Sequence, residues 1–85
     1  MDEEEILQKL EELVTNLGFK LRYEKGNFQG GGCRVGEEKM MIINNKIPNA
    51  VKISIIAAEL AKLDLAEHYL IPEIRELIEN QEDKE

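Results

Sequence analysis

Cys33 is the only cysteine of the chain, and it follows three consecutive glycines, Gly30 to Gly32, and precedes Arg34. A thiolate is a nucleophile, and a neighbouring cation favours the thiolate over the thiol. The glycines leave backbone room for a substrate or a partner beside the sulfur. The alternative is a small buried hydrophobe on a strand, with Cys33 and Val35 pointing inward and Arg34 outward. The residue pattern favours this second interpretation.

His68 is the only histidine, and it is the side chain whose charge ordinarily changes near neutral pH. A catalytic pair of Cys33 and His68 is one hypothesis, but nothing in the sequence brings the two together. A histidine in a polar connection is more typical of an ordinary surface residue. One cysteine and one histidine are too few ligands for a common zinc site, so we expect no metal and no cofactor.

The glycine run lacks the context of a phosphate-binding loop. No βα unit leads into it, and no helix with a Lys and a Ser or Thr begins after it. Glycines in a strand allow a bend or the close approach of another backbone at a sheet edge. Such an edge can pair with an extended peptide or with a second copy of the chain. The sequence therefore predicts a binding surface at Gly30, Gly31, Gly32, Cys33 and Arg34.

The chain carries a net charge of −7 with a pI near 4.7. A polyanion would be repelled, so nucleic acid is not expected as a partner. The acidic residues concentrate near the two ends, which leaves a small basic area around Lys20, Arg22 and Arg34. No apolar run approaches a membrane span, and the acidic start is opposite in sign to a signal peptide. We expect a cytoplasmic protein with no membrane partner.

The first segment has the apolar spacing of an amphipathic helix, running roughly over residues 3–17. Asp2 with Glu5 resembles a capping box, and Gly18 stands where a left-handed residue ends a helix. The apolar positions are Ile6, Leu7, Leu10, Leu13, Val14 and Leu17.

Three short strands are expected next. Residues 19–24 alternate between apolar and charged side chains, and residues 33–35 and 39–43 form a hairpin around Gly36. We expect these strands to form a three-stranded antiparallel sheet in an α+β fold.

Residues 50–63 are apolar on most sides and predict a long buried helix. Its surplus of apolar surface suggests contact with a second subunit, and hence a homodimer. Pro72 predicts the first residue of a short last helix. Residues 1–80 then form one small domain, since so short a chain supports a single core, and residues 81–85 form a charged flexible tail.

Two resemblances add to this interpretation. The first is carried by the order of the predicted elements and by three short segments. These are Gly31, Gly32, Cys33, Arg34 and Val35, then Ile42, Ile43 and Asn44, then Pro72, Arg75 and Glu76. In these features the chain resembles a group of small bacterial proteins without an assigned activity, so this resemblance implies no chemistry.

A more distant likeness involves the segment from Ile43 and Asn44 to the helix with Glu59. This segment resembles the strand and active-site helix of zincin-type metallopeptidases, which carry His-Glu-x-x-His. Ala58 and Lys62 occupy the two histidine positions here, and only Glu59, at the position of the general base, is retained. The resemblance therefore implies a scaffold without its zinc ligands.

The leading hypothesis is a non-catalytic protein-interaction or self-associating domain. The alternatives are a thiol-dependent enzyme or redox protein that uses Cys33, and a zincin-like scaffold that has lost its metal site.

Overall fold

The computed structural model describes residues 1–82 of the 85-residue chain. The elements are α1 (Glu3–Asn16), β1 (Phe19–Glu24), β2 (Gly30–Val35), β3 (Glu38–Asn44), α2 (Asn49–Ala61) and α3 (Pro72–Glu82). The α+β class is confirmed. Helix α3 extends two residues into the segment predicted as a tail, and residues 83–85 lie outside the described part of the chain.

The predicted caps of α1 and the predicted start of α3 are confirmed, whereas α2 spans Asn49–Ala61 and ends two residues before the predicted end. The side chain of Asp2 accepts a hydrogen bond of 2.9 Å from the backbone N–H of Glu5. Gly18 follows α1 with φ of 93°, a left-handed conformation that costs glycine little. Pro72 is the first residue of α3, where its missing N–H has no helical partner to lose.

The sheet is mixed, so the prediction of a wholly antiparallel sheet was wrong. The strand order is β1-β3-β2, with β1 parallel and β2 antiparallel to β3. The connection of residues 25–29 passes over the end of β3 to reach β2, and the following turn brings β3 between its two neighbours. Two strand spacings are about 10 Å, and five extended residues reach about 17 Å. The connection is therefore long enough for this crossing.

The register gives the sheet one helix-covered face and one open face. On the helix-covered face, Leu21 lies beside Met41, which lies beside Gly32. On the open face, Arg22 lies beside Ile42, which lies beside Gly31. β3 is the central strand, and Met41 and Ile43 on its helix-covered face are fully buried in the core.

The three helices build the core on one side of the sheet. Its buried members are Leu10, Val14, Met41, Ile43, Ile53, Ile56, Leu60, Leu70, Ile74 and Ile78. Within residues 1–82, no helix has the length and the apolar run that a bilayer crossing requires.

Helix α2 uses its apolar surface within the chain. Ile53, Ile56, Ala57 and Leu60 are buried, and no large hydrophobic side chain of α2 is exposed. Val51 and Ile55 are half-buried, and Leu63, which belongs to the predicted segment but follows α2, is 36% exposed. Most of the apolar surface of α2 is thus used within the chain, and self-association through this helix stays a prediction.

One polar contact joins α1 to β1. The hydroxyl of Tyr23 donates a hydrogen bond to Oε2 of Glu11, and both side chains are partly buried. Burial and then this bond raise the pKa of Tyr23, because ionisation would place a second negative charge beside the carboxylate.

This contact predicts a loss of stability in alkali. Because the folded pKa lies above that of the unfolded chain, the unfolded state loses its proton first as pH rises past about 10. Tyr23→Phe should therefore weaken the fall in unfolding free energy above about pH 10, measured by urea denaturation across pH. Tyr69→Phe is the control, because Tyr69 is 83% exposed. Identical pH profiles for Tyr23→Phe and the wild type would contradict the prediction.

A second prediction concerns the two glycines at the start of β2. Gly30 has φ of 145°, and a Cβ there would lie 2.7 Å from the carbonyl oxygen of Ile42, whereas a Cβ at Gly31 would meet nothing within 4 Å. Gly30→Ala should lower the unfolding free energy by about 1–3 kcal/mol, and Gly31→Ala by less than about 0.5 kcal/mol. Urea denaturation checks both variants, and equal effects would contradict the backbone argument.

Candidate interaction surface at strand β2

β2 is an edge strand with an exposed backbone. Only β3 pairs with it among the described residues. Five of its six residues are exposed, Val35 by 59%, and Gly31 is partly buried. The backbone N–H of Asn44 donates a 2.9 Å bond to the carbonyl of Gln29, the residue opposite it. Bonded and non-bonded pairs alternate along an antiparallel ladder. The N–H and C=O groups of Gly32 and Arg34 therefore point away from β3, toward the free edge.

A shallow depression of about 720 Å³ lies on the open face beside this edge. Gly31 and Cys33 of β2 and Ile42 of β3 line it on the sheet, and Lys25 and Phe28 line it from the crossing connection. Phe28 is 40% exposed. The depression exists because Gly31 has no side chain above the sheet, and it offers an apolar surface next to the unpaired edge.

Asn44 fastens the connection that forms one wall of the depression. Its Nδ2 donates hydrogen bonds to the carbonyls of Gly26, at 3.0 Å, and Phe28, at 2.7 Å. Its Oδ1 accepts a 2.9 Å bond from the backbone N–H of Lys46. Asn44 is buried, and these bonds satisfy both polar atoms of its side chain together with two carbonyls of the connection.

Glu59 lies against the opposite, helix-covered face of β2. A Cβ on Gly32 would come within 2.6 Å of Oε1 of Glu59, so the missing side chain of Gly32 lets this carboxylate approach the strand. Oε2 of Glu59 lies 3.1 Å from Nζ of Lys62. The carboxylate proposed from the sequence as a remnant general base is thus engaged in a pair with Lys62, the residue at the second histidine position.

Cys33 is exposed, so the prediction of a buried cysteine was wrong. Alternation did place Cys33 and Val35 on one face, but that face is the open one. The structure does not bring Cys33 and His68 together. His68 is exposed in the connection between α2 and α3, is not among the residues that line the depression with Cys33, and shares no hydrogen bond with Cys33 in the described chain. Within residues 1–82, no three His, Cys, Asp or Glu side chains are grouped as metal ligands.

Charge is distributed unevenly between the sheet and the helices. Residues 19–46 contain six basic and three acidic side chains, a net charge of +3. Since the whole chain carries −7, the remainder carries −10. Two of the basic residues are paired with neighbours, with Lys20 Nζ 2.9 Å from Glu38 and Arg22 Nη2 2.6 Å from Glu24. The sheet is therefore the basic part of an acidic chain.

Comparison of the chain with protein-family models, with curated proteins and with solved structures found no match. The two resemblances drawn from the sequence accordingly stay predictions.

The sequence pointed to the glycine strand but missed Phe28, Ile42 and Asn44. Ile42 lies on the open face, but it stands in a run of apolar residues, so alternation could not show which face of β3 it belongs to. An asparagine directly after a run of apolar strand residues was a usable sign of a polar side chain that terminates a ladder and bonds a neighbouring loop.

The hydrogen bonds of Asn44 predict a strong effect of substitution. Asn44→Ala should lower the unfolding free energy by about 1–3 kcal/mol, because it leaves the Gly26 and Phe28 carbonyls without their donor. Asn44→Asp should cost at least as much, since a carboxylate would face two carbonyl oxygens. Asn45→Ala is the control, because Asn45 is exposed. Urea denaturation measures all three, and an Asn44→Asp variant as stable as the control would contradict the assignment.

Proposed function

We propose that this chain is a non-catalytic protein-interaction domain that takes up an extended polypeptide segment as an additional strand on β2. The observation that carries the proposal is the free outer edge of β2, with the backbone groups of Gly32 and Arg34 directed away from the sheet. Strand addition uses such groups for affinity and neighbouring depressions for side-chain recognition. In keeping with the sequence, we place this activity in the cytoplasm.

The edge is suited to a partner strand because it lacks the usual features that prevent pairing. Natural edge strands are commonly protected by bulges, by prolines or by lysines. β2 contains neither proline nor lysine, its register with β3 is uninterrupted, and Arg34 is its single charged residue. Its first three residues are glycines that leave another backbone free to approach.

The thiol alternative has less support. Cys33 is exposed, but a nucleophilic cysteine needs a base or a cation arranged beside it. His68 lies in a different part of the fold, and Arg34 points from the other face of β2. Arg22 and Lys25 line the same depression as Cys33, but Arg22 is paired with Glu24. The zincin alternative takes Ala58 and Lys62 as residues that have replaced zinc ligands. It gains no support from the ion pair of Glu59 with Lys62, since such pairs three residues apart are common on helices.

A homodimer is the second form of the same proposal, with β2 of another copy occupying the edge. The exposed edge of β2, rather than the surface of α2, favours this homodimer. Against it, a second copy would bring one net-positive sheet against another. We therefore favour a partner of different sequence.

The proposal predicts that one backbone donor decides binding. Proline is accepted on edge strands where its N–H would face solvent, so Arg34→Pro should preserve the ladder with β3 while removing an outward donor. Peptides of about eight residues, selected from a displayed random library on the wild-type chain, are measured by titration calorimetry against each variant. Arg34→Pro should weaken binding at least about tenfold, the loss expected for one hydrogen bond with an unsatisfied partner.

Two control variants and a hydrogen-exchange measurement accompany this experiment. Arg34→Gln removes the charge but keeps the N–H and should retain most of the affinity. His68→Gln should bind as the wild type does, because His68 is exposed in the connection between α2 and α3 and does not line the depression. In hydrogen exchange, a bound peptide should protect the amides of Gly32 and Arg34. Peptides that bind but protect another surface would overturn the proposal.

Sedimentation at tens of micromolar tests whether the chain forms a homodimer. If β2 forms the contact between the two copies, Arg34→Pro should dissociate the dimer.

A further inference from the structure

We infer that the segment added to β2 is acidic and carries a large apolar or aromatic side chain directly opposite Gly31. This inference rests on the proposed strand addition and names the chemistry of the partner. It joins two observations: the empty volume above Gly31 and the basic residues on the rim of the same depression.

The position of the apolar side chain follows from the register. Gly31 belongs to the open face, in the same row as Ile42 and Arg22. A residue of an added strand opposite Gly31 therefore also directs its side chain to the open face. Nothing lies within 4 Å of the Cβ position of Gly31, so this side chain can lean across the glycine. Large side chains opposite an edge glycine are known to cover it in sheets.

The surface that such a side chain would reach is apolar. Ile42 is half-buried on the open face, and Phe28 is exposed on the wall formed by the crossing connection. Filling the space between them removes apolar surface of both partners from water, which is the main source of affinity at a contact of this kind. An alanine at the same position of the added strand would leave the depression empty.

Charge complementarity gives the sign of the flanking residues. Arg22, Lys25 and Glu24 line the depression, which gives its wall a net charge of +1, with Arg22 Nη2 2.6 Å from Glu24. The helices, which carry the excess of acidic groups, lie on the other face of the sheet. Carboxylates two residues to either side of the apolar side chain point to the same open face. They would therefore meet an attractive potential there, and ammonium groups a repulsive one.

The test uses three synthetic peptides of about eight residues with one common alternating strand sequence. The first has a central phenylalanine with a glutamate two residues away on each side, so that all three side chains share one face. The second has a central alanine with the same two glutamates, and the third a central phenylalanine with lysines at those two positions. The first should bind about tenfold more tightly than either of the others, by calorimetry at low salt. Its advantage over the third should shrink severalfold in about 0.5 M NaCl.

Matched variants assign each preference to its residues. Gly31→Val occupies the depression and should remove the preference for phenylalanine over alanine, and Phe28→Ala, which removes one wall, should reduce it. Arg22→Gln combined with Lys25→Gln should remove the preference for glutamate over lysine but keep that for phenylalanine. Circular dichroism establishes that each variant is folded.

The outcomes separate this inference from the proposed function. Equal binding of all three peptides, with the amides of Gly32 and Arg34 protected from exchange, would overturn the inference and leave strand addition standing. Binding of none of them, together with library peptides that protect other surfaces, would overturn both. A preference for the lysine peptide would overturn the inference outright.

Discussion

The pairing of β3 with both other strands is the interaction on which the rest of this structure depends. β3 supplies Met41 and Ile43 to the core, and it is the central strand, bonded to β1 on one edge and to β2 on the other. For that to happen, the chain must leave β1, pass over the end of β3 and return along β2. The side chain of Asn44 holds this crossing by bonding the carbonyls of Gly26 and Phe28.

The same arrangement creates the surface that we propose as functional. Because the chain places β2 at the outside of the sheet, the glycine strand meets β3 on one edge only. Because the crossing connection is fastened beside it, Phe28 stands at the border of the open face. Helix α2 covers the other face and brings Glu59 against Gly32. The free edge and the apolar depression thus have one structural origin in the crossing.

Much of the local structure was predictable because it depends on neighbouring residues. The caps at Asp2 and Gly18, the start of α3 at Pro72 and the hairpin of β2 and β3 follow from short-range chemistry. The direction of β1 relative to β3 was not predictable, since alternation is the same in parallel and antiparallel strands. For Cys33, alternation grouped the residue correctly with Val35 but assigned the pair to the buried face.

By itself, the sequence determined the class of fold, the glycine strand as the place to look and the acidic character of the chain. The tertiary structure alone decided which face of the sheet is covered, which strand lies at the edge and which loop closes over β3. The physical reason is that an alternation of side-chain types shows only that the two faces of a strand differ. Which face is buried depends on where the helices pack. Charge shows the same division, because the sequence already places the basic excess in the continuous segment 19–46, whereas only the fold puts Arg22 and Lys25 beside the depression and Arg34 on the other face.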